Sequence, residues 1–545
     1  MSFPEKSDSQ GKIFPTETTP IESVEKTKAI TNPSNYSEIN QIYKELYEQR
    51  LQRNNPKPNP EESKSDEPKP KIVVLPNIIT SYLTLANQKP HFYINKLGHY
   101  PKDQMKDNMV SFREMLFEDI LKTRSLIPNE APKRTLQAAF LTTFGFDSEL
   151  LTPLIKAKVH LVVANDYQKE TTYQPIIENF GEIEGLTVIQ PSKSFQGVFY
   201  SCFHPKLWLL KFPEFLRVVV SSGNLTTLDW SIWSNCLWYQ DFYKKKTILK
   251  ETQKQPETEE KKEEFAYNAE FKETLAGYLN DIIPKKIDQK PFLQIDLDDF
   301  LFENIDIILI PSFPGRHKDS KYGLAKIRKI IKTIEPEIYQ KNEEYFLTYQ
   351  TSSLGMIDTG FLSDVCYGFL PNFPEEKEKN AEIYKDLSKN VKVIYPTKKY
   401  VLEESYAGAE FAHPLLLSEK NYDKTNFIKS VFHKFEGPED YNYHHGILPH
   451  LKVGIVTKKD MVIDDDTIIY YGSHNFTAAA WGKYEKNRSQ LMVSNTELGV
   501  LIPGRKGSKS MKEDIVRGFS FKFPANPYDQ DSQPWIMSKQ FPNNH

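Results

Sequence analysis

His450-Leu451-Lys452-Val453-Gly454-Ile455-Val456-Thr457, followed by Thr467-Ile468-Ile469-Tyr470-Tyr471-Gly472-Ser473-His474-Asn475-Phe476-Thr477, repeats a pattern met earlier in the chain. The first copy is His204-Pro205-Lys206 leading to Phe212, then Leu216 to Ser221 and Gly223-Asn224-Leu225-Thr226. Each copy carries one imidazole, one ammonium and one carboxamide in the same order. His to Asn takes twenty residues in the first and twenty-five in the second, the surplus lying in the charged loop Lys458 to Asp466. His and Lys two apart on a strand point to one face, and His204 to Phe212 and His450 to Thr457 both read as strands. A second apolar run, β-branched or aromatic, follows each and ends just before the Asn. Thr226 and Thr477 then stand as capping hydroxyls ahead of helix-compatible residues. An ammonium and an amide can grip the non-bridging oxygens of a phosphate while one imidazole attacks phosphorus and the other moves a proton. Two half-sites facing each other would make one active site.

A single H-x-K match carries no weight in a chain with 12 His and many Lys, where about one is expected by chance. Two copies with matched Asn-x-Thr sequels are a different matter. Those sequels also satisfy the glycosylation sequon, but no feature of the sequence suggests secretion.

At 545 residues the chain is too long for one ordinary core and suits two domains after a tail. Residues 1–72, rich in Pro, Glu, Ser, Lys and Asn, have too little apolar area to offset the entropy of ordering and are expected to be disordered. Residues 251–264 form a low-complexity run, read as a solvated insertion. Pro and Gly punctuation over Pro311-Ser312-Phe313-Pro314-Gly315-Arg316, after the strand-like Ile305 to Ile310, places the domain boundary there. The domains are then 73–312 and 313–545, each holding one copy of the pattern. Helical stretches such as Tyr322 to Ile334 alternate with apolar runs such as Val159 to Ala164 and Val391 to Tyr395. That alternation predicts an α/β protein of two pseudo-symmetric α/β/α sandwiches with the active site in the cleft between them.

Three cysteines, Cys202, Cys236 and Cys366, match no metal spacing and argue against a disulfide framework. No metal and no cofactor are expected, and Asp464-Asp465-Asp466 reads as a solvent loop. The absence of an apolar signal core and of any run near membrane-span length points to an intracellular protein without a membrane partner. The net charge of −3 does not advertise nucleic-acid binding, although a local basic groove can hide in such a sum.

The duplicated pattern resembles the phospholipase D superfamily, and its surroundings are similar to the tyrosyl-DNA phosphodiesterase family. Lys211 and Thr457 stand where the lipases carry Asp. Leu216-Arg217-Val218-Val219-Val220 through Asn224-Leu225 and Asp229-Trp230 resembles the family's first half. Ala479-Ala480-Trp481-Gly482, Glu485-Lys486-Asn487, Gln490-Leu491-Met492 and Glu497-Leu498-Gly499-Val500 resemble its second. The resemblance implies His204 as nucleophile, His450 as general acid and then base, and Lys206, Lys452, Asn224 and Asn475 as the phosphate clamp. It implies that Glu497 contacts the nucleophilic His. Asn235 falls where the family usually carries Gln, which leaves its reach to His450 open. Phe144 and Tyr200 match DNA-contacting aromatics, and Ser352 and Ser353 match a phosphate-contacting segment. The implied substrate is DNA, single-stranded or a duplex end, with a 3′-linked topoisomerase-derived tyrosyl peptide. The implied enzyme is a nuclear monomer that leaves a 3′-phosphate. The rival readings are a phospholipase or nuclease of the same superfamily, and a non-catalytic DNA-binding scaffold.

Overall fold

A computed structural model describes residues 92–97, 109–116, 136–165, 183–191, 202–245, 259–285, 287–333, 343–375, 386–438, 446–458, 461–504 and 506–540. The expected tail over 1–72 and residues 251–258 of the low-complexity run lie outside them. The rest of that run, 259–264, is not a loop. It opens the helix Glu259–Ile282, since Lys and Glu are good helix formers even where no apolar stripe is visible.

Two sheets carry the fold. The eight-stranded sheet runs Met109–Val110, Phe92–Asn95, Cys236–Tyr243, Phe215–Ser221, Leu207–Lys211, Ala138–Thr143, His160–Asn165, Leu186–Ile189. The seven-stranded sheet runs Ile308–Ser312, Glu497–Ile502, Ile468–Gly472, Val453–Lys458, Tyr345–Gln350, Val391–Tyr395, Phe432–Lys434. After the first edge strand the orders correspond position by position. In both sheets the first four of those pairings are antiparallel and the last two parallel. The pseudo-symmetric α/β layering expected from the repeat is present.

The correspondence corrects the domain boundary. Ile308–Ser312 is the counterpart of Phe92–Asn95 and forms an edge of the second sheet, so a division after residue 312 severs a strand from its own sheet. Pro311 misled the reading because an edge strand tolerates the missing N–H that a central strand does not.

Strand alternation builds two cores. In the first sheet Leu207, Leu209, Leu216, Val218 and Val220 join the large core shared with the second sheet. Trp208, Leu210, Phe215 and Val219 face a separate outer core. Each such side chain, fully buried, is worth about 1.5–3 kcal/mol. Phe92 meets Tyr471 of the other sheet edge-on at 5.2 Å, and Phe271 of the long helix packs on Trp238 at 5.5 Å, so the two halves are joined through apolar contact.

Candidate active site

Each catalytic-candidate histidine is held at its backbone by the opposite half. The N–H of His204 donates to the Thr496 carbonyl at 2.8 Å, and that of His450 donates to Ser234 at 2.9 Å. This crossing explains one departure from the sequence reading. The regular strands begin only at Leu207 and Val453, because these N–H groups are taken across the cleft and not by a sheet neighbour. The extended backbone persists, and each lysine doubles back on its histidine: Lys206 Nζ donates to the His204 carbonyl at 2.7 Å, and Lys452 Nζ to that of His450. Both lysines are fully buried. Burial lowers Lys206 to about 8. Burial and then the Lys206 charge hold Lys452 well below the usual amine range. Glu497 and Asp229 act on both ammoniums in the opposite sense.

The imidazoles are oriented from behind. His204 Nδ1 donates to Glu497 Oε2 at 2.8 Å, which turns Nε2 to the cleft. Glu497 also accepts from Ser473 Oγ at 2.6 Å and Asn495 Nδ2 at 3.0 Å, and Tyr278 OH holds its carbonyl at 2.9 Å. Burial alone would raise this carboxyl, but His204 and its hydrogen bond hold it at about 2. His450 Nδ1 donates to Asp229 Oδ1 at 2.6 Å. Asp229 Oδ2 accepts from Thr226 Oγ1 at 2.7 Å and Asn224 Nδ2 at 3.2 Å. Burial works against the Asp229 carboxylate, yet His450 beside it holds its pKa well below the ordinary value. Burial, then Lys452, pushes His450 down to about 3, and burial also lowers His204. Both rings are neutral near pH 7 in the free protein.

The carboxamides are oriented in the same way. Asn224 Oδ1 accepts from the Phe144 N–H at 3.3 Å. Asn475 Oδ1 accepts from Thr351 Oγ1 and Ser352 Oγ, each at 3.2 Å, and from the Ser353 N–H at 3.1 Å. The capping threonines behave as expected: Thr226 accepts from the Asp229 N–H and Thr477 from the Ala480 N–H. Each ammonium acts on the opposite histidine, Lys452 on His204 and Lys206 on His450. The two histidines and two lysines of the repeat are thus brought together with Glu497 and Asp229, and Asn224 joins them through its bond to Asp229.

A family model described as tyrosyl-DNA phosphodiesterase matches residues 101–535. The chain belongs to the tyrosyl-DNA phosphodiesterase family. Tyrosyl-DNA phosphodiesterase 1 of Arabidopsis thaliana is 29% identical over 324 residues, 56% of this chain and 47% of that protein. The alignment thus spans about half the length of that relative. A crystal structure of yeast tyrosyl-DNA phosphodiesterase superposes with a TM-score of 0.54 at 14% identity, covering 82% of this chain and 99% of that one. A histidine-to-alanine mutant of the yeast protein gives a TM-score of 0.55 over the same shares. At that identity the likeness concerns the fold.

Among the residues that the family resemblance singles out, Asn235 does not reach His450. Its Nδ2 donates to the Asp229 carbonyl at 2.9 Å and its Oδ1 accepts from Ser222 Oγ at 2.9 Å, so it braces the carboxylate that does. Asp229 is the residue the sequence reading missed. Its visible signals were its place three residues after the capping Thr226 and its presence in the Asp229-Trp230 pair that resembles the family. Phe144 is 44% exposed with its ring 5.6 Å from that of His204. Ser352 is buried with its hydroxyl on Asn475, while Ser353 is half-buried. Tyr200 lies outside the described residues. The Asp464 to Asp466 run is not simply solvated: Asp464 and Asp466 are half-buried and pair with Lys458. Among the described residues no helix is long and apolar enough to cross a membrane.

Proposed function

We propose that this chain hydrolyses the 3′-phosphotyrosyl bond between DNA and a topoisomerase-derived peptide, acting as a nuclear monomer in DNA repair. The observation that carries this reading is the pair of imidazoles, each with Nδ1 on a buried carboxylate and each acted on by both ammoniums. In the first step His204 Nε2 attacks phosphorus, the bond from phosphorus to the tyrosine oxygen breaks, and His450 delivers a proton to that oxygen. In the second, water attacks the phosphohistidine, His450 takes its proton, the P–N bond breaks and a 3′-phosphate remains. The negative charge of the arriving phosphodiester offsets the repulsion between Lys452 and a protonated His450, which favours the imidazolium needed for the first step. Lys206, Lys452, Asn224 and Asn475 hold the phosphoryl oxygens as charge develops on them. A phenol, with pKa near 10, leaves far more readily than an alkyl oxygen. Phe144 would offer a stacking face for a base, worth about 1–3 kcal/mol, and Ser353, whose N–H is held by Asn475, would meet a neighbouring phosphate as the family resemblance implies.

The test is an oligonucleotide bearing a 3′-phosphotyrosyl peptide. The protein should release the peptide and leave a 3′-phosphate, His204→Ala should form no adduct, and His450→Asn should accumulate an acid-labile, denaturant-resistant protein–DNA band. Lipid hydrolysis that requires His204, without cleavage of the oligonucleotide, would replace this reading with a phospholipase.

A further inference from the structure

A third histidine lies two ring contacts away from His450. His413 meets the Trp233 ring edge-on at 4.7 Å, and Trp233 lies 5.8 Å from the His450 ring. Trp233 is 4% exposed, whereas His413 is exposed. The three rings therefore form a series running outward, from the buried His450 through the buried Trp233 to the exposed His413. The Asp229 carboxylate that holds His450 also acts on His413, and a hydrogen bond to the Glu410 backbone engages the His413 ring.

The segment that carries His413 is anchored to both halves. Trp233 Nε1 of the first half donates to the Phe411 carbonyl at 2.9 Å. From the second half, the Tyr406 N–H donates to Gly446 at 2.7 Å and the Leu416 N–H to the Ser352 carbonyl at 2.9 Å. Ala412 and Leu415, on either side of the exposed histidine, are fully buried. The exposed imidazole is thus presented from a fixed backbone and not from a loose loop.

We infer that His413 is a specificity-determining residue for the leaving group, contacting the peptide that flanks the tyrosine as it extends from His450 past Trp233. This rests on the reading of His450 as the proton donor to the tyrosine oxygen, since that assignment makes the His450 side of the cleft the leaving-group side. The tyrosine then leaves on the Trp233 side of His450, and the first groups beyond its ring, a peptide N–H and carbonyl, arrive at the exposed His413. An imidazole with one nitrogen engaged by the Glu410 backbone offers the other as a hydrogen-bond partner to such groups.

The experiment compares two oligonucleotides of one sequence, one ending in a 3′-phosphotyrosyl peptide and one in a 3′-phospho-4-nitrophenyl group that lacks any peptide. In His413→Ala the ratio of kcat/KM for the peptide substrate to that for the nitrophenyl substrate should fall roughly three- to tenfold, the effect of one lost hydrogen bond, with the change in KM. His413→Gln, which keeps a donor and an acceptor, should recover part of it. A ratio that stays within about twofold, or an equal loss on both substrates, would overturn the inference while leaving the phosphodiesterase reading intact. A wild-type protein that cleaves neither substrate would remove both.

Discussion

The two halves of the molecule share strand order, a cross-cleft tether and a His-Lys-Asn triplet, yet they differ in where the carboxylate comes from. Ser473 and Ser222 occupy matching positions. Ser473 Oγ donates to Glu497 and accepts from the Leu498 N–H at 2.9 Å, and Ser222 Oγ donates to Asn235 and accepts from the Cys236 N–H at 3.0 Å. Asn235 is therefore the counterpart of Glu497. The strand position that carries the acid for His204 carries an amide on the His450 side, and the acid there moves to the helix, where Asp229 stands opposite Ala480 of the second half. A symmetric scaffold thus supports two chemically distinct histidines by shifting one negative charge from a strand to a helix.

The largest expected effects come from removing those charges one at a time. Glu497→Gln and Asp229→Asn should each reduce turnover by at least about a hundredfold, the usual reach of a positioned acid–base group. They should differ in trapped intermediate: Glu497→Gln forms little adduct, whereas Asp229→Asn slows its release and accumulates it. Equal adduct levels in the two variants, read on denaturing gels, would erase the distinction between the halves.

The pH profile sharpens the comparison next. Lys206, lowered to about 8 by burial, should lose its proton at mildly alkaline pH, so kcat/KM should decline as pH rises through about 8, by about tenfold per unit well beyond it. A flat profile to pH 10 would mean that the ammonium is held more tightly than its burial implies.

A third test concerns the residue before each Asn. His474 in the second half corresponds to Gly223 in the first, where an added Cβ would come within 3.0 Å of Asn235 Cγ. His474 is fully buried between Tyr470 OH at 2.6 Å and Ser312 Oγ at 3.0 Å, and burial lowers it to about 3. The unfolded chain binds a proton at this histidine near its ordinary 6.5 and the folded chain does not. Stability from this source is complete above about 6.5 and falls as the pH drops towards 3. His474→Gln should flatten that dependence of Tm on pH, and an unchanged slope would assign the acid sensitivity elsewhere, to His450 among others.

The smallest effect expected is at the helix caps. Thr226→Ala and Thr477→Ala should each cost about 1 kcal/mol of stability in chemical denaturation. Only Thr226→Ala should also lower activity, because only Thr226 donates to the carboxylate that holds His450.

Much of this was legible in the sequence because it is local or repeated. The paired motif, the strands leading to each Asn and the capping threonines all depend on spacing within a few residues. Asp229 was hidden by the same reasoning that exposed the rest: comparison of the copies highlights what recurs, and its counterpart is Ala480. Asn235 could be located but not interpreted, since its partner Asp229 is set by the turn between them and not by any period. The domain boundary failed because Pro311 marks an edge strand and a linker with the same residue type. His413 had no sequence signal at all, for what singles it out is contact with Trp233, which is distant in the chain.

The crossed backbone bonds, His204 to Thr496 and His450 to Ser234, have the reciprocity of an isologous dimer interface: a surface of one half meets the equivalent surface of the other, and each donates what it also accepts. Here both protomers of that pseudo-dimer are written into one chain. Neither half alone contains a complete histidine–carboxylate pair, because Glu497, which holds His204, and Asp229, which holds His450, each sit on the opposite unit. On the proposed mechanism competence is therefore created by docking, and a chain folded in only one half should be inert towards the phosphotyrosyl substrate.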